Sequence, residues 1–233
     1  LEILPTYKAK RSESITGNEV REAIQEQRPT VMKLIYALGI CQAYSKQVEG
    51  DDMLYMVWRR YKRLIKSGKS YKLIIVSRDK DFHQLIDKDT SVWDPFKGML
   101  LTKNNLKALF NYEPHEVVDY LCLLGDSSDN IPGYRGFGEK RVREFIDNYK
   151  LVNGQYRIKK PMRVDLIKLA DTLAVNRKLI DLAMFHRKHQ PNKTIEYFNS
   201  KRNPKLDVGA VKNIARKYSI GTFFKSDFLK TFE

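Results

Sequence analysis

The sequence predicts an α/β protein, a parallel-sheet core followed by a mainly helical region, and three observations carry that expectation. Residues 72–77, KLIIVS, form a short β-branched apolar run bounded by polar residues, the pattern of a buried parallel strand. Strand-like runs alternate with helical spacing through the first half of the chain, the βαβα order of an α/β core. Past Asp126 the sequence turns glycine-rich, GDSSDNIPGYRGFGEK, and is helical in pattern from there on. The division is therefore placed between residues 1–125, the core, and 126–233, the helical region.

Taken in order, residues 19–37 (EVREAIQEQRPTVMKLIYA) show helical apolar spacing in their second half, and Pro29 is placed to start that helix. The segment upstream is polar and basic. Residues 53–66 are helical by pattern, and VEGDD leads into them, so its acids sit at a helix N-terminus. KLIIVS follows and ends at RDKDF, which puts Asp79 and Asp81 just past its carboxyl end, the edge where open α/β sheets bind ligands. A second short strand is expected around 91–93, then a helix capped by Thr102, then PHEVVDYLCLLGD behind Pro114. The remainder reads as helices: DLIKLADTLAVNRKLIDLAMF, DVGAVKNIARKYS and KSDFLKTF.

Composition narrows the function classes. Hydrophobic residues make up 42% and charged ones 30% of the 233, as in a folded domain with a substantial core. No apolar run approaches a membrane span, and LEILPTYKAKR does not have the form of a secretory signal. Lys and Arg exceed Asp and Glu by 15, which favours a polyanionic partner, because cationic side chains release the counterions condensed on phosphates. Neither Cys41 nor Cys122 has a CxxC or His-spaced partner, so both are expected to be buried free thiols in a reducing cytoplasm.

Against that basic background the acids fall into three groups at element ends: Glu49, Asp51 and Asp52; Asp79 and Asp81; Asp126 and Asp129. Spacing alone does not place the first three on one helical face; they converge only if Glu49 belongs to the lead-in loop. Asp126 and Asp129, three apart, face together if their segment is helical. Seven carboxylates in one pocket would repel one another unless cations neutralised them, and hard divalent ions that take oxygen ligands, Mg²⁺ or Mn²⁺, suit such a set. Two such ions about 3.5–4 Å apart are a known arrangement for phosphodiester hydrolysis. Taken singly, each group is more readily read as helix-cap and turn acids; it is the three together, in this order, that favour a metal site.

Residues 133–140, GYRGFGEK, set Gly133, Gly136 and Gly138 before a helix that carries Lys140, Arg141 and Arg143. Glycines allow close backbone approach, so amides at a helix N-terminus can face a phosphate oxygen, and such a hairpin grips a duplex without reading bases. A tight connector between two helices is the plainer reading of the same glycines.

VEGDD, SRDKDF and GDSSDNIPGYRGFGEK, in this order and at these separations, resemble the 5′ nuclease family, which includes the 5′-3′ exonuclease domain of bacterial DNA polymerase I and the flap endonucleases of bacteriophages. The resemblance runs from about residue 1 to 185 and is most specific in GDSSDNIPG. It implies a PIN-like parallel-sheet core, a helical arch, and a helix-three-turn-helix motif that holds duplex DNA and often a K⁺ ion. It also implies one metal centre served by Glu49, Asp51, Asp52, Asp79 and Asp81, and a second served by Asp126 and Asp129. LPTYKAKR resembles the segment at the base of the arch, which makes Lys8 and Arg11 candidates for contacting the scissile phosphate. Gly133, Gly136, Gly138 and Lys140 match the duplex-binding hairpin. Arg78 departs from the pattern, standing where the family commonly has Thr.

Family members also begin with a strand carrying an Asp, and a second Asp lies shortly before the segment that LPTYKAKR resembles. Neither is among these 233 residues, which begin without Met, so a fragment, a processed product or a sequence lacking its first residues is expected. Because the polymerase and proofreading parts are absent too, a free-standing phage-type nuclease is expected. The resemblance implies a role in replication; a monomer in the cytoplasm of a bacterium or a phage-infected host is expected. Its substrate would be 5′ flap or junction DNA, with RNA–DNA hybrids as a further one. Two rivals stand beside it. A DNA-binding module without catalysis explains the charge but gains nothing from clustered acids. An RNase of related PIN-like architecture explains the acids but not GYRGFGEK.

Overall fold

The computed structural model describes residues 4–5, 7, 15–44, 48–152, 155–158, 164–184, 196–197, 204–224 and 226–232. In chain order the elements are α1 (Ile15–Ala37), β1 (Ala43–Tyr44), α2 (Gly50–Lys66), β2 (Leu73–Val76), a 3-10 turn (Lys80–Leu85), β3 (Thr90–Asp94), β4 (Met99–Leu101) and α3 (Leu106–Phe110). A second 3-10 turn (Pro114–Glu116) leads into α4 (Val117–Leu124), followed by β5 (Gly125–Asp126), β6 (Ile131–Pro132), α5 (Glu139–Asn148), β7 (Tyr149–Val152), β8 (Gln155–Ile158), α6 (Leu166–Ile180) and β9 (Glu196–Tyr197). The chain closes with α7 (Val208–Lys217), a 3-10 turn (Gly221–Phe224) and α8 (Ser226–Lys230). None of the described helices is long and apolar enough to cross a membrane.

Two compact units result: Leu1–Lys10 with Val57–His189, and Arg11–Met56 with Gln190–Glu233, the boundary falling within α2. In the second unit α1 packs on α7 around Ala37, Leu38, Val211 and Leu229, with Leu34, Leu206 and Phe228 against them. β1 pairs antiparallel with β9. Here the expectation for Pro29 is corrected. The residue lies inside a 23-residue helix rather than at its start. Proline removes one backbone donor and costs about 3 kcal/mol in a helix interior, yet the packing of Leu34, Ala37 and Leu38 holds the helix past it. Cys41 is also corrected, being exposed; only Cys122 is buried, and burial raises its thiol pKa.

In the first unit β2 runs parallel to β3, and β3 antiparallel to β4. β2 has no second neighbour among the described strands, and Ile74 and Val76 are 62% and 65% exposed, so it is an edge strand rather than the buried one its composition suggests. Its loops are clamped by Lys62 of α2, which contacts Asp87 at 2.6 Å and Asp89 at 3.2 Å, while Trp58 Nε1 donates to Thr90 Oγ1. The helix expected from Thr102 begins three residues later. Asn105 turns its side chain back, accepting from Thr102 N and donating to the Leu100 carbonyl, so the intervening residues form a turn.

The central element is α4. Val117, Tyr120, Leu121, Cys122 and Leu123 are all buried, and the helix packs on α5, α6 and the 80–85 turn. Glu113 and Glu116 form a reciprocal capping box in the turn before it. Asp165 caps α6 by accepting from Ile167 N and Lys168 N, and Asp207 caps α7 by accepting from Ala210 N, both where their sequences predict helix starts.

Candidate functional site

The carboxyl end of β2 is where the first pair of acids is set. Ser77 N donates to the Trp93 carbonyl, and Ser77 Oγ accepts from Asp79 N, so the chain leaves the sheet in a fixed direction. Asp79 then caps the 3-10 turn, its Oδ1 accepting from Asp81 N at 2.9 Å. Buried Phe82, His83 and Leu85 anchor that turn from inside. His83 shares a 2.8 Å hydrogen bond with the Tyr112 hydroxyl; burial, with Lys80 and Lys97 nearby, lowers its pKa to about 4.

The second pair is set by the end of α4. Gly125 stops the helix at φ +82, and a two-residue ladder joins Gly125 to Pro132 and Asp126 to Ile131. Within this loop Asp126 Oδ1 accepts from both the backbone N–H and the hydroxyl of Ser128, at 2.8 and 2.6 Å. Asp126 and Asp129 therefore sit in a tight loop and not on a helix face. The loop is bracketed by Asn176, only 1% exposed, whose Nδ2 donates to the Cys122 carbonyl before it and the Pro132 carbonyl after it. Both acid-bearing turns thus rest against α4, one at its flank and one at its end.

Asp51 and Asp52 occupy the first turn of α2, as VEGDD predicts, and Glu49 is in the lead-in with its carbonyl accepting from Met53 N. These three belong to the other compact unit. Among the described residues no three His, Cys, Asp or Glu side chains form a group with metal-holding geometry. In donor chemistry the acids suit a hard divalent ion, since every candidate ligand is a carboxylate oxygen. Asp79 and Asp126 each commit one oxygen to their own turn, and the second oxygen of each takes no hydrogen bond from the described residues. Lys8 and Arg11 lie outside the described residues.

Behind Pro132 comes the glycine hairpin. A Cβ on Gly133 would lie 2.2 Å from the Leu124 carbonyl oxygen, so glycine is needed there for backbone packing. Gly136 adopts φ +82. Gly138 opens α5, its carbonyl accepting from Arg141 N and Val142 N, with nothing within 4 Å of where a Cβ would stand. Phe137, Val142 and Phe145 are buried and fix the inner side, while Lys140 and Arg141 are exposed. Arg143 points elsewhere. Its guanidinium forks onto Glu116 at 2.8 and 2.9 Å and also reaches Asp147 and the Asn111 carbonyl, leaving it 12% exposed. Burial pushes the Glu116 pKa up, but the Arg143 fork outweighs it and the net shift is downward. Arg143 ties α5 to the turn before α4, a role its spacing from Lys140 does not reveal, and Asn176 likewise carries no sequence signal.

An α/β core with acids at the carboxyl end of a strand, followed by a helical region that opens on a glycine hairpin, is the class that these features define. Residues 1–119 match the family profile described as 5′-3′ exonuclease, N-terminal resolvase-like domain, and residues 112–197 match 5′-3′ exonuclease, C-terminal SAM fold. The chain belongs to the 5′-3′ exonuclease family. A 5′-3′ exonuclease of Halalkalibacterium halodurans is 35% identical over 152 residues, which is 64% of this chain and 47% of that protein. One of Aquifex aeolicus is 30% identical over 128 residues, 55% of this chain and 43% of that protein. The chain spans less than half the length of these curated relatives. Among solved structures, a bacteriophage T5 protein co-crystallised with metal ions superposes with a TM-score of 0.66 at 19% identity, covering 93% of this chain and 80% of that one. A bacteriophage T5 flap endonuclease in a pseudo-enzyme-product complex with DNA and metal ions gives 0.61 at 18% identity, over 100% and 76%. At that identity the likeness is one of fold.

Proposed function

We propose that this chain carries the catalytic and duplex-holding parts of a structure-selective, divalent-metal-dependent 5′ nuclease, hydrolysing phosphodiesters where single-stranded DNA meets duplex. The observation that carries the reading is that two acid-bearing turns rest on one buried helix, and that the chain runs from that helix through the Asp126 loop and the glycine hairpin to an exposed Gly138–Lys140–Arg141 helix start. The family membership and the exonuclease and flap-endonuclease names of the relatives support it.

Asp126 and Asp129 would hold one ion, and Asp79 and Asp81 would bind another; Glu49, Asp51 and Asp52 are proposed as metal-binding acids as well. Bound there, Mg²⁺ or Mn²⁺ supplies an activated water and charge stabilisation at the entering and leaving oxygens. The chain's own residues do the positioning. Ser77 and Ser128 orient Asp79 and Asp126, and the open approach above Gly138 admits a duplex phosphate to the N-terminus of α5. A K⁺ ion at this hairpin, Lys8 and Arg11 on the scissile phosphate, and RNA–DNA hybrids as further substrates belong to the same proposal. So do a monomeric state and a cytoplasmic site of action in replication.

The test is cleavage of a 5′-labelled flap in Mg²⁺ and in EDTA, beside the Asp126→Asn, Asp129→Asn double variant. Metal-dependent cutting that the variant loses while still binding the flap is expected. Tight binding without cutting by the unaltered chain would select the alternative, a structure-specific DNA-binding protein without catalysis.

A further inference from the structure

The β3–β4 hairpin holds an aromatic side chain out into solvent beside the acids. Phe96 is 76% exposed, and the Arg78 guanidinium lies 3.9 Å from its ring centroid. This is a stiff arrangement. Asp94 is buried and accepts from both Phe96 N and Lys97 N at 2.9 and 3.1 Å, Gly98 turns the chain at φ +59, and Lys97 Nζ sits over the Phe110 ring at 4.7 Å. Because β3 is parallel to β2, its carboxyl end and this hairpin fall on the same sheet edge as Asp79, and Arg78 is the residue before Asp79.

Exposing a Phe ring in a turn held so firmly gains nothing for folding, since burying such a side chain stabilises by about 1.5–3 kcal/mol. A guanidinium stacked on one face of an aromatic ring is a surface suited to a nucleobase, and bases stack on such platforms with little regard to sequence. The surroundings favour a polyanion: Arg78, Lys80 and Lys97 are exposed cations within the two segments that meet here. We infer that Phe96, held by Asp94 and flanked by Arg78, is a stacking platform for a base of single-stranded nucleic acid, seating the strand next to the Asp79 turn.

The inference rests on the reading that nucleic acid is the substrate, but its test does not need cleavage. Binding is measured by fluorescence anisotropy in EDTA for three ligands: a labelled single strand of roughly 12 nucleotides, within the site size of single-strand binders, an abasic strand with the same phosphates, and a blunt duplex. Phe96→Ala is expected to weaken the base-bearing strand by about 5- to 150-fold, the range for loss of one base–aromatic stack. Phe96→Trp should restore it. Affinity for the abasic strand and the duplex should not change. Equal affinity of Phe96→Ala and the unaltered chain for the base-bearing strand would overturn the platform, as would an equal loss on the abasic strand or no single-strand binding by the unaltered chain. A chain that shows the base-dependent loss yet cuts no flap in Mg²⁺ keeps the platform and loses the nuclease.

Discussion

Replacing Asn176 by Ala should destabilise the first unit by about 1–4 kcal/mol, because a buried carbonyl and a part-buried one lose their donor at once and an unsatisfied buried acceptor costs about 1–3 kcal/mol. The carbonyls are those of Cys122 and Pro132, held at 2.8 and 2.7 Å, and Asn176 is 1% exposed, so water does not replace its bond to the buried Cys122 carbonyl. Urea unfolding followed by intrinsic fluorescence suits the measurement. The chain has two tryptophans, Trp58 and Trp93, and both lie in the unit that contains Asn176, so their signal reports that unit. Arg177→Gln is the control. It removes the neighbouring Arg177–Asp119 ion pair, whose side chains are 30% and 35% exposed, and should cost less than about 1 kcal/mol. Hydrogen exchange at residues 126–130 should accelerate in Asn176→Ala and not in the control. A loss for Asn176→Ala no larger than the control's would refute the view that Asn176 braces the Asp126 loop.

The remaining predictions concern the hairpin and the helix behind it. Arg143→Gln should lower stability by about 2–4 kcal/mol, the cost of leaving a nearly buried Glu116 without its partner, and should leave the salt dependence of duplex binding unchanged. Lys140→Gln should do the reverse, reducing the slope of log K against log salt by about one with stability unaltered. Because the folded pKa of Glu116 is held below its ordinary 4.5, the stabilisation is full above that value and lost as pH falls through the folded pKa; the gap between Arg143→Gln and the unaltered chain must narrow in acid. A gap constant with pH would show that the fork is not its source. Gly133→Ala should prevent stable folding of the first unit, since its Cβ would meet the Leu124 carbonyl at 2.2 Å, whereas Gly138→Ala should cost less than about 1 kcal/mol and weaken duplex binding. Circular dichroism melts separate the two.

Local signals in the chain were legible because their causes are local. The amphipathic α2, the helices that begin at DLIKL and DVGAV, and the strand at 73–76 each depend on neighbours within a few residues. Failures of reading have distant causes. Asn176 bonds to carbonyls 54 and 44 residues away, and Arg143 finds Glu116 at a separation of 27. Pro29 looked like a helix start because its own propensity says so, but the packing of α1 on α7 joins residues nearly two hundred positions apart. Ile74 and Val76 have the composition of a buried strand, and whether such a strand is covered depends on neighbours that its own residues do not name. The acids were legible as groups by type and position, but the turn geometry that orients Asp79 and Asp126 comes from Ser77 and Ser128, ordinary residues in any sequence reading.

A hairpin that holds phosphates without reading bases can select a substrate only by geometry. In the proposed nuclease, selection therefore depends on a fixed offset between the duplex grip at Gly138 and the acids at Asp79 and Asp126. That offset passes through α4, and three residues stiffen it: Gly133 lets the hairpin close against Leu124, Asn176 ties both ends of the acid loop to α6, and Arg143 locks α5 to the turn before α4. None of the three needs to touch substrate. A variant that loosens one while the chain stays folded should accordingly blur where the strand is cut before it abolishes cutting. Loss of an acid should do the opposite, ending catalysis while leaving the cut site of any residual activity in place.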